Sequence, residues 1–301
     1  MRLRFSACSV VATYLGLAIW RPAAAGQVTT TGPTVVWRPA LPMQGSLVLL
    51  GVRASSHGGV RAVHGELAGQ ALHFELSEGW FRAIGAVPLS ASGRVRARLV
   101  LERAGGARDT LIRNVPIATR HAPSERLRTN PDFVQPPESL ASRLQSEREL
   151  VRRLKRHTHD RPRFWSGPFV APRPGPVTDG FGVSRVFNGR LRSRHLGADF
   201  DGGIGDSVLA TNRGVVVYAG PLYFNGTTVF IDHGAGLLSA YLHLSQTLVA
   251  PGDTVSTGQL IGLVGATGRV TGPHLHWFAS YGDITVDPVD LLSFDLEQPL
   301  P

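Results

Sequence analysis

Apolar positions in this chain fall mostly into short runs broken by glycine and polar turns, and one stretch alone has helical spacing. Between residues 26 and 119 the runs 46–52, 72–76, 95–101 and 110–115 predict strands, with Gly58-Gly59 and Gly105-Gly106 as turn signals between such runs. Their number and brevity predict a small β-sandwich. Residues 138–156, just after Pro136-Pro137, predict a helix that places Leu140, Leu144, Val151 and Leu154 on one face. Beyond residue 164 the runs 207–218, 228–232, 238–242, 260–264 and 274–279 alternate with many glycines. That texture predicts an all-β antiparallel domain.

The first 25 residues have a different pattern. Arg2 and Arg4 precede an apolar stretch from Phe5 to Trp20, and Arg21-Pro22 and Ala23-Ala24-Ala25 follow. A charged start, a short apolar core and a small-residue exit predict a secretory signal peptide and an exported protein, periplasmic or extracellular. Cys8, the single cysteine, lies within the apolar core, so cleavage after Ala25 leaves a chain without thiols. The expected organisation is a signal peptide (1–25), an N-terminal β-sandwich-like domain (26–119), a helical connector (120–163), an all-β domain (164–292) and a C-terminal tail (293–301).

Composition refines this picture. The 301 residues are 43% hydrophobic and 18% charged with a mean hydropathy of +0.02, which excludes disorder along the whole length. The formal charge is +9, yet Lys155 is the only lysine, and so arginine-heavy a composition argues against a nucleic-acid partner. The connector has eleven basic and six acidic residues, whereas 164–301 has seven and eleven. An amphipathic helix with a solvated basic face accounts for the connector most simply; attachment of that face to an anionic surface or membrane is the second reading.

Candidate chemistry gathers after residue 164. In a strand, His274 and His276 of His274-Leu275-His276 project to one face, where two imidazoles can share a metal. His195-Leu196-Gly197-Ala198-Asp199 adds an imidazole and a carboxylate, with Gly197 permitting a tight backbone between them. A catalytic zinc site uses three such ligands plus water. His195, Asp199 and one of His274 or His276 make that set, with Asp201 as a possible replacement for Asp199. His243 alternates with Tyr241 along a strand, is expected to share its face, and is a candidate proton carrier. Other histidines have plainer readings. His57, His64 and His73 lack grouped acids, His157-Thr158-His159-Asp160 follows a basic helix, and Asp232-His233-Gly234 reads as a strand end. No HExxH occurs.

The two patterns together resemble the lysostaphin-type zinc metallopeptidases, which cut peptide bonds in bacterial peptidoglycan. Their HxxxD stands here as HLGAD (195–199) and their HxH as HLH (274–276). Further matching stretches are VTDGFGVSRVFNGR (177–190), DHGAGLLSAYLHLS (232–245), PGDTVSTGQLIGLVGATG (251–268) and TGPHLHW (271–277). The resemblance covers about residues 164–292. It implies one zinc ion held by His195, Asp199 and His276, with His243 and His274 as catalytic histidines and peptidoglycan as substrate. It also implies a compact antiparallel β domain with the site in a groove. Arg185 and Asn188 match positions near that groove and are candidate substrate contacts. The main rival is a non-catalytic wall-binding activator of another hydrolase, against which the intact ligand set argues. A lipoyl-carrier-like module, suggested by PGDTVSTGQLIG, fails because no lysine follows Lys155. A sugar-binding sandwich using Trp37 and Trp80 is a third alternative, with burial of both rings the simpler expectation.

Overall fold

The computed structural model describes residues 26–27, 33–54, 59–297 and 299–300. The signal peptide expected at residues 1–25, Cys8 included, and His57 lie outside the described residues. Two sheets form the N-terminal region. One orders the strands Gly26–Gln27, Val35–Arg38, Leu47–Arg53, Trp80–Ala86 and Glu75–Ser77; the other orders Gln70–Ala71, Val60–Leu67, Arg94–Arg103 and Arg108–Pro116. Strict alternation in Arg94–Arg103 turns Val95, Ala97, Leu99 and Leu101 inward, where they meet Val48, Leu50 and Phe81 of the first sheet. Trp37 and Trp80 are buried, which disposes of the sugar-stacking alternative.

The run expected at 72–76 is strand only from Glu75, within Glu75–Ser77 of the first sheet. Residues 72–74 carry the chain there from Gln70–Ala71 of the second sheet.

The strand Leu47–Arg53 is buried on both faces. Val48, Leu50 and Val52 enter the sandwich core, whereas Leu47 and Leu49 join Ile84 and Ala86 in the core that includes Trp165, Phe169, Tyr241 and Trp277. Continuous burial of an apolar run is the mark of a strand covered on two sides. The first sheet is therefore a layer shared by both halves of the molecule. Leu296 and Leu300 pack on the same core, and the Leu296 carbonyl accepts from Arg82 at 3.1 Å.

After the sandwich, Ser124–Leu127 runs parallel to Ser184–Phe187, which pairs with Leu191–Arg194. A short 3-10 turn, Glu138–Leu140, leads into the connector helix Ala141–His157. Leu150, Val151 and Leu154 of this segment pack in the cluster of Leu222, Phe230, Leu242 and Phe278. No helix among the described residues is long and apolar enough to cross a membrane.

The large sheet follows the order Val177–Asp179, Ala198–Asp201, His274–Tyr281, Leu237–Thr247, Gly226–Gly234, Gly214–Leu222 and Thr254–Val255. Leu260–Val264 pairs with Leu237–Thr247 and with Ser207–Leu209. The single strand expected over 207–218 is thus two, Ser207–Leu209 and Gly214–Leu222. Between them the Thr211 amide donates to the Tyr241 hydroxyl at 2.8 Å, and Asn212 Oδ1 accepts from the Arg213 amide. Those bonds replace the ladder and turn the chain.

Candidate metal centre

Register brings the ligand candidates together. Ala198–Asp201 pairs antiparallel with His274–Tyr281, placing Asp199 opposite His276 and Asp201 opposite His274. His195 lies just before the first of these strands, and its amide donates to the Val183 carbonyl at 2.8 Å. Three lone-pair atoms converge: His195 Nε2 and Asp199 Oδ1 are 3.0 Å apart, His195 Nε2 and His276 Nδ1 2.9 Å, and His276 Nδ1 and Asp199 Oδ1 2.7 Å. A tetrahedral zinc with bonds of about 2.0 Å separates its ligands by roughly 3.3 Å. Two imidazoles and one carboxylate at these spacings fit a zinc ion by donor type and by size. No other group of three such residues occurs among the described residues. Asp201 is exposed and stands outside the triad.

The backbone fixes the tautomers. His195 Nδ1–H donates to the Gly180 carbonyl (2.8 Å), His243 Nδ1–H to the Thr267 carbonyl (2.8 Å) and His274 Nδ1–H to the Gly272 carbonyl (2.9 Å). Each keeps its Nε2 clear of the backbone. Ring centroids of His243 and His274 are 5.0 Å apart, and those of His243 and His276 5.9 Å. Burial lowers the pKa of His243 to about 3, reinforced by His276 and His274, so its ring is neutral at physiological pH. Burial also opposes ionisation of Asp199, but hydrogen bonds with His195 and His276 outweigh it and hold the carboxyl far below the usual range.

His243 does not share a face with Tyr241, contrary to simple alternation. Tyr241 points into the core, where its hydroxyl meets Thr211. Across the neighbouring strand, Tyr241 pairs with Val229 and Leu244 with Thr227, so three steps on one side match two on the other. The extra residue is a β-bulge, and His243 adopts φ 65° within it. The bulge turns the imidazole over to the face of His274 and His276. A left-handed backbone at a non-glycine residue costs on the order of 1 kcal/mol.

Gly197 has a second reason to be glycine. A Cβ there would meet His276 Nε2 at 2.5 Å and the Trp277 carbonyl closer still. The ligand's ring occupies that space.

Residues 193–288 match the family described as Peptidase family M23. They form a family M23 peptidase domain. The peptidoglycan DD-endopeptidase ShyA of Vibrio cholerae is 51% identical over 83 residues, 28% of this chain and 19% of the relative. The DD-carboxypeptidase/endopeptidase Mpg of Neisseria meningitidis is 40% identical over 97 residues, 32% of this chain and 22% of that one. The chain thus spans about a fifth of the length of these curated relatives. A solved structure of a putative M23 peptidase from Pseudomonas aeruginosa is 28% identical, with a TM-score of 0.61 over 83% of this chain and 94% of that one. That likeness extends beyond the M23 domain into the N-terminal sheets.

Beside the M23 site, Arg185 lines the cavity and Asn188 is not among its lining residues. Arg185 Nη2 donates to Asp199 Oδ2 at 2.7 Å and to Asp179, so its guanidinium is a partner of the ligand carboxylate. Burial works against its charge, but Asp199 and Asp179 offset this and keep it firmly protonated. Asn188 uses both ends of its amide on Thr129: Oδ1 accepts from the Thr129 amide (3.0 Å) and Nδ2 donates to its carbonyl (2.8 Å). It ties the connector to the 184–194 hairpin, and its side chain is already engaged there.

A cavity of about 410 Å³ opens beside His243 and His276, with Leu144, Glu147 and Val151 of the connector helix forming one wall. Glu147 Oε2 accepts from the Tyr223 amide at 2.8 Å, which pins the helix there. Sequence spacing gave no sign of this wall, because its partners lie some 75 residues away. The other histidine cluster is not a metal site. His157 pairs with Asp160 at 3.0 Å, and His159 Nδ1 turns to His73 Nε2 at 2.8 Å.

Proposed function

We propose that this chain is an exported zinc endopeptidase that hydrolyses peptide bonds in peptidoglycan stem peptides or crosslinks. The observation that carries the reading is the convergence of His195, Asp199 and His276, with the Nε2 atoms of His243 and His274 on the same face. The names of the DD-endopeptidase relatives support the substrate class, and the pattern of residues 1–25 supports export to a periplasmic or extracellular space.

In this reading His195, Asp199 and His276 hold the metal. A zinc held by them would supply Lewis acidity for a substrate carbonyl and bring the pKa of a water down to about 7. Arg185 holds the Oδ2 of Asp199 and so leaves Oδ1 facing the ligand set. His243 and His274, each with Nδ1–H on a backbone carbonyl, accept the proton of the attacking water at Nε2 and return it to the departing amine. Their N–H-to-carbonyl bonds fix both rings in the tautomer that this exchange requires. The 26–119 sandwich then supports the domain at 164–292, and the 120–163 connector borders its cavity.

The roles separate by experiment. Asp199→Ala is expected to lose zinc and hydrolysis together. His243→Ala is expected to retain about one zinc per chain while hydrolysis falls by 10²-fold or more. Equal zinc loss in the two variants would refute the assignment of His243.

A further inference from the structure

Four guanidinium groups line the cavity beside His243 and His276: Arg148, Arg185, Arg194 and Arg269. Three of them are engaged by the protein. Arg185 serves Asp199 and Asp179, Arg194 Nη1 donates to the Gly182 carbonyl at 3.1 Å, and Arg148 Nε donates to the Leu144 carbonyl at 3.0 Å. The Arg269 guanidinium has no hydrogen bond and no carboxylate partner among the described residues. Two aromatic rings pack against it instead, Phe187 at 4.9 Å and Phe224 at 5.0 Å from its central carbon. Rings hold a guanidinium in place while leaving its N–H donors unspent.

The main chain positions this cation firmly. The Arg269 amide donates to the Phe224 carbonyl at 2.9 Å. In the same loop the Thr267 carbonyl accepts from His243 Nδ1, and Thr267 Oγ1 accepts from the Thr227 amide at 2.9 Å. Two residues of chain, about 7 Å at most, thus separate the group that orients a proton-carrying histidine from the group that presents a charge. Burial and the nearby Arg185 both press against protonation of Arg269, although an arginine stays charged. A half-buried cation without a counter-charge is stabilised by an anion that reaches it, and planar N–H donors suit a carboxylate.

We propose that Arg269 recognises a free carboxylate on the substrate, on a residue next to the scissile amide. The proposal rests on the endopeptidase reading and narrows it. The substrate is a peptide bearing a carboxylate at that position, in preference to a neutral segment such as a glycine bridge. Arg269 then sets specificity, while His243 and His274 carry the protons.

The test compares two probes that differ in one group: diacetyl-L-Lys-D-Ala-D-Ala as the free acid and as its C-terminal carboxamide. Binding of each to the zinc-loaded protein is measured by NMR titration, and cleavage is followed separately. The native protein is expected to bind the acid about tenfold more tightly than the amide. Arg269→Gln is expected to bring that ratio to near one. Because the ratio is taken within one preparation, loss of folded protein does not change it. Equal affinity for acid and amide in the native protein, a ratio that survives in Arg269→Gln, or no binding of either probe at millimolar concentration would overturn the proposal. Failure of the endopeptidase reading shows elsewhere, as intact peptidoglycan under the zinc-loaded protein, and leaves the affinity ratio readable.

Discussion

Within the M23 domain, single side chains fall into two groups: those that local sequence announces and those that depend on a distant partner. His195, Asp199 and the His274/His276 pair belong to the first, because their spacing and the strand period already set them on common faces. Gly197 belongs partly to each. A tight backbone was legible, but the His276 ring that fills its missing Cβ position comes from nearly 80 residues away. His233 was legible as a structural residue and proves to be fully buried, with Nδ1–H donating to the Arg213 carbonyl and Nε2 facing Ser239. Burial lowers its pKa to about 4. The unfolded chain takes up this proton near pH 6.5, the folded one only near 4, so the unfolded state binds more protons between those values. Stability is therefore lost as pH falls from about 6.5 to about 4, by up to about 1.4 kcal/mol per unit from this residue. Denaturant titrations at pH 7 and pH 5 should show a smaller loss for His233→Gln than for the native protein. Equal losses would contradict the burial argument.

Elements show where pattern reading stops. The strands Leu260–Val264 and His274–Tyr281 and the connector helix lie close to where periodicity puts them, because each is specified by its own residues. Tyr241 and His243 were expected on one face, and the bulge in Leu237–Thr247 separates them. A bulge is a property of a pair of strands, and nothing in Tyr241-Leu242-His243 alone displays the shorter partner at 227–229. The shortened run at 72–76 and the divided one at 207–218 have the same cause. Long-range hydrogen bonds and a change of sheet decide them, and neither leaves a local trace. Arg185 and Asn188 were both expected near the groove, and of the two Arg185 lines the cavity. Their commitments, to Asp199 and Asp179 and to Thr129, follow from how the 184–194 hairpin meets its surroundings.

At the scale of the molecule, the sequence divides into regions that the packing rejoins. Leu47 and Leu49 sit in the core of the M23 half, while Val48 and Leu50, one step away, sit in the sandwich core. The Asp287 amide donates to the Gly45 carbonyl at 2.8 Å, and Arg120 bridges Asp287 and Gln44 across the same seam. Separating the halves would expose the Leu47, Leu49, Ile84 and Ala86 face of the shared sheet and the core it covers, at about 25 cal/mol per Å² of apolar area. The described halves should consequently unfold together. Calorimetry of the zinc-loaded protein is expected to give one transition, with equal calorimetric and van't Hoff enthalpies. Two resolved transitions would show that the shared layer contributes little.

Digestion of purified peptidoglycan sacculi tests the central claim most directly, with zinc and with chelator, the products read by mass spectrometry. Chelator-sensitive release of fragments cut at a peptide bond is the expected result, and their masses name the bond. Sacculi left intact by a zinc-loaded, folded protein would contradict the assignment of this site as a peptidoglycan endopeptidase.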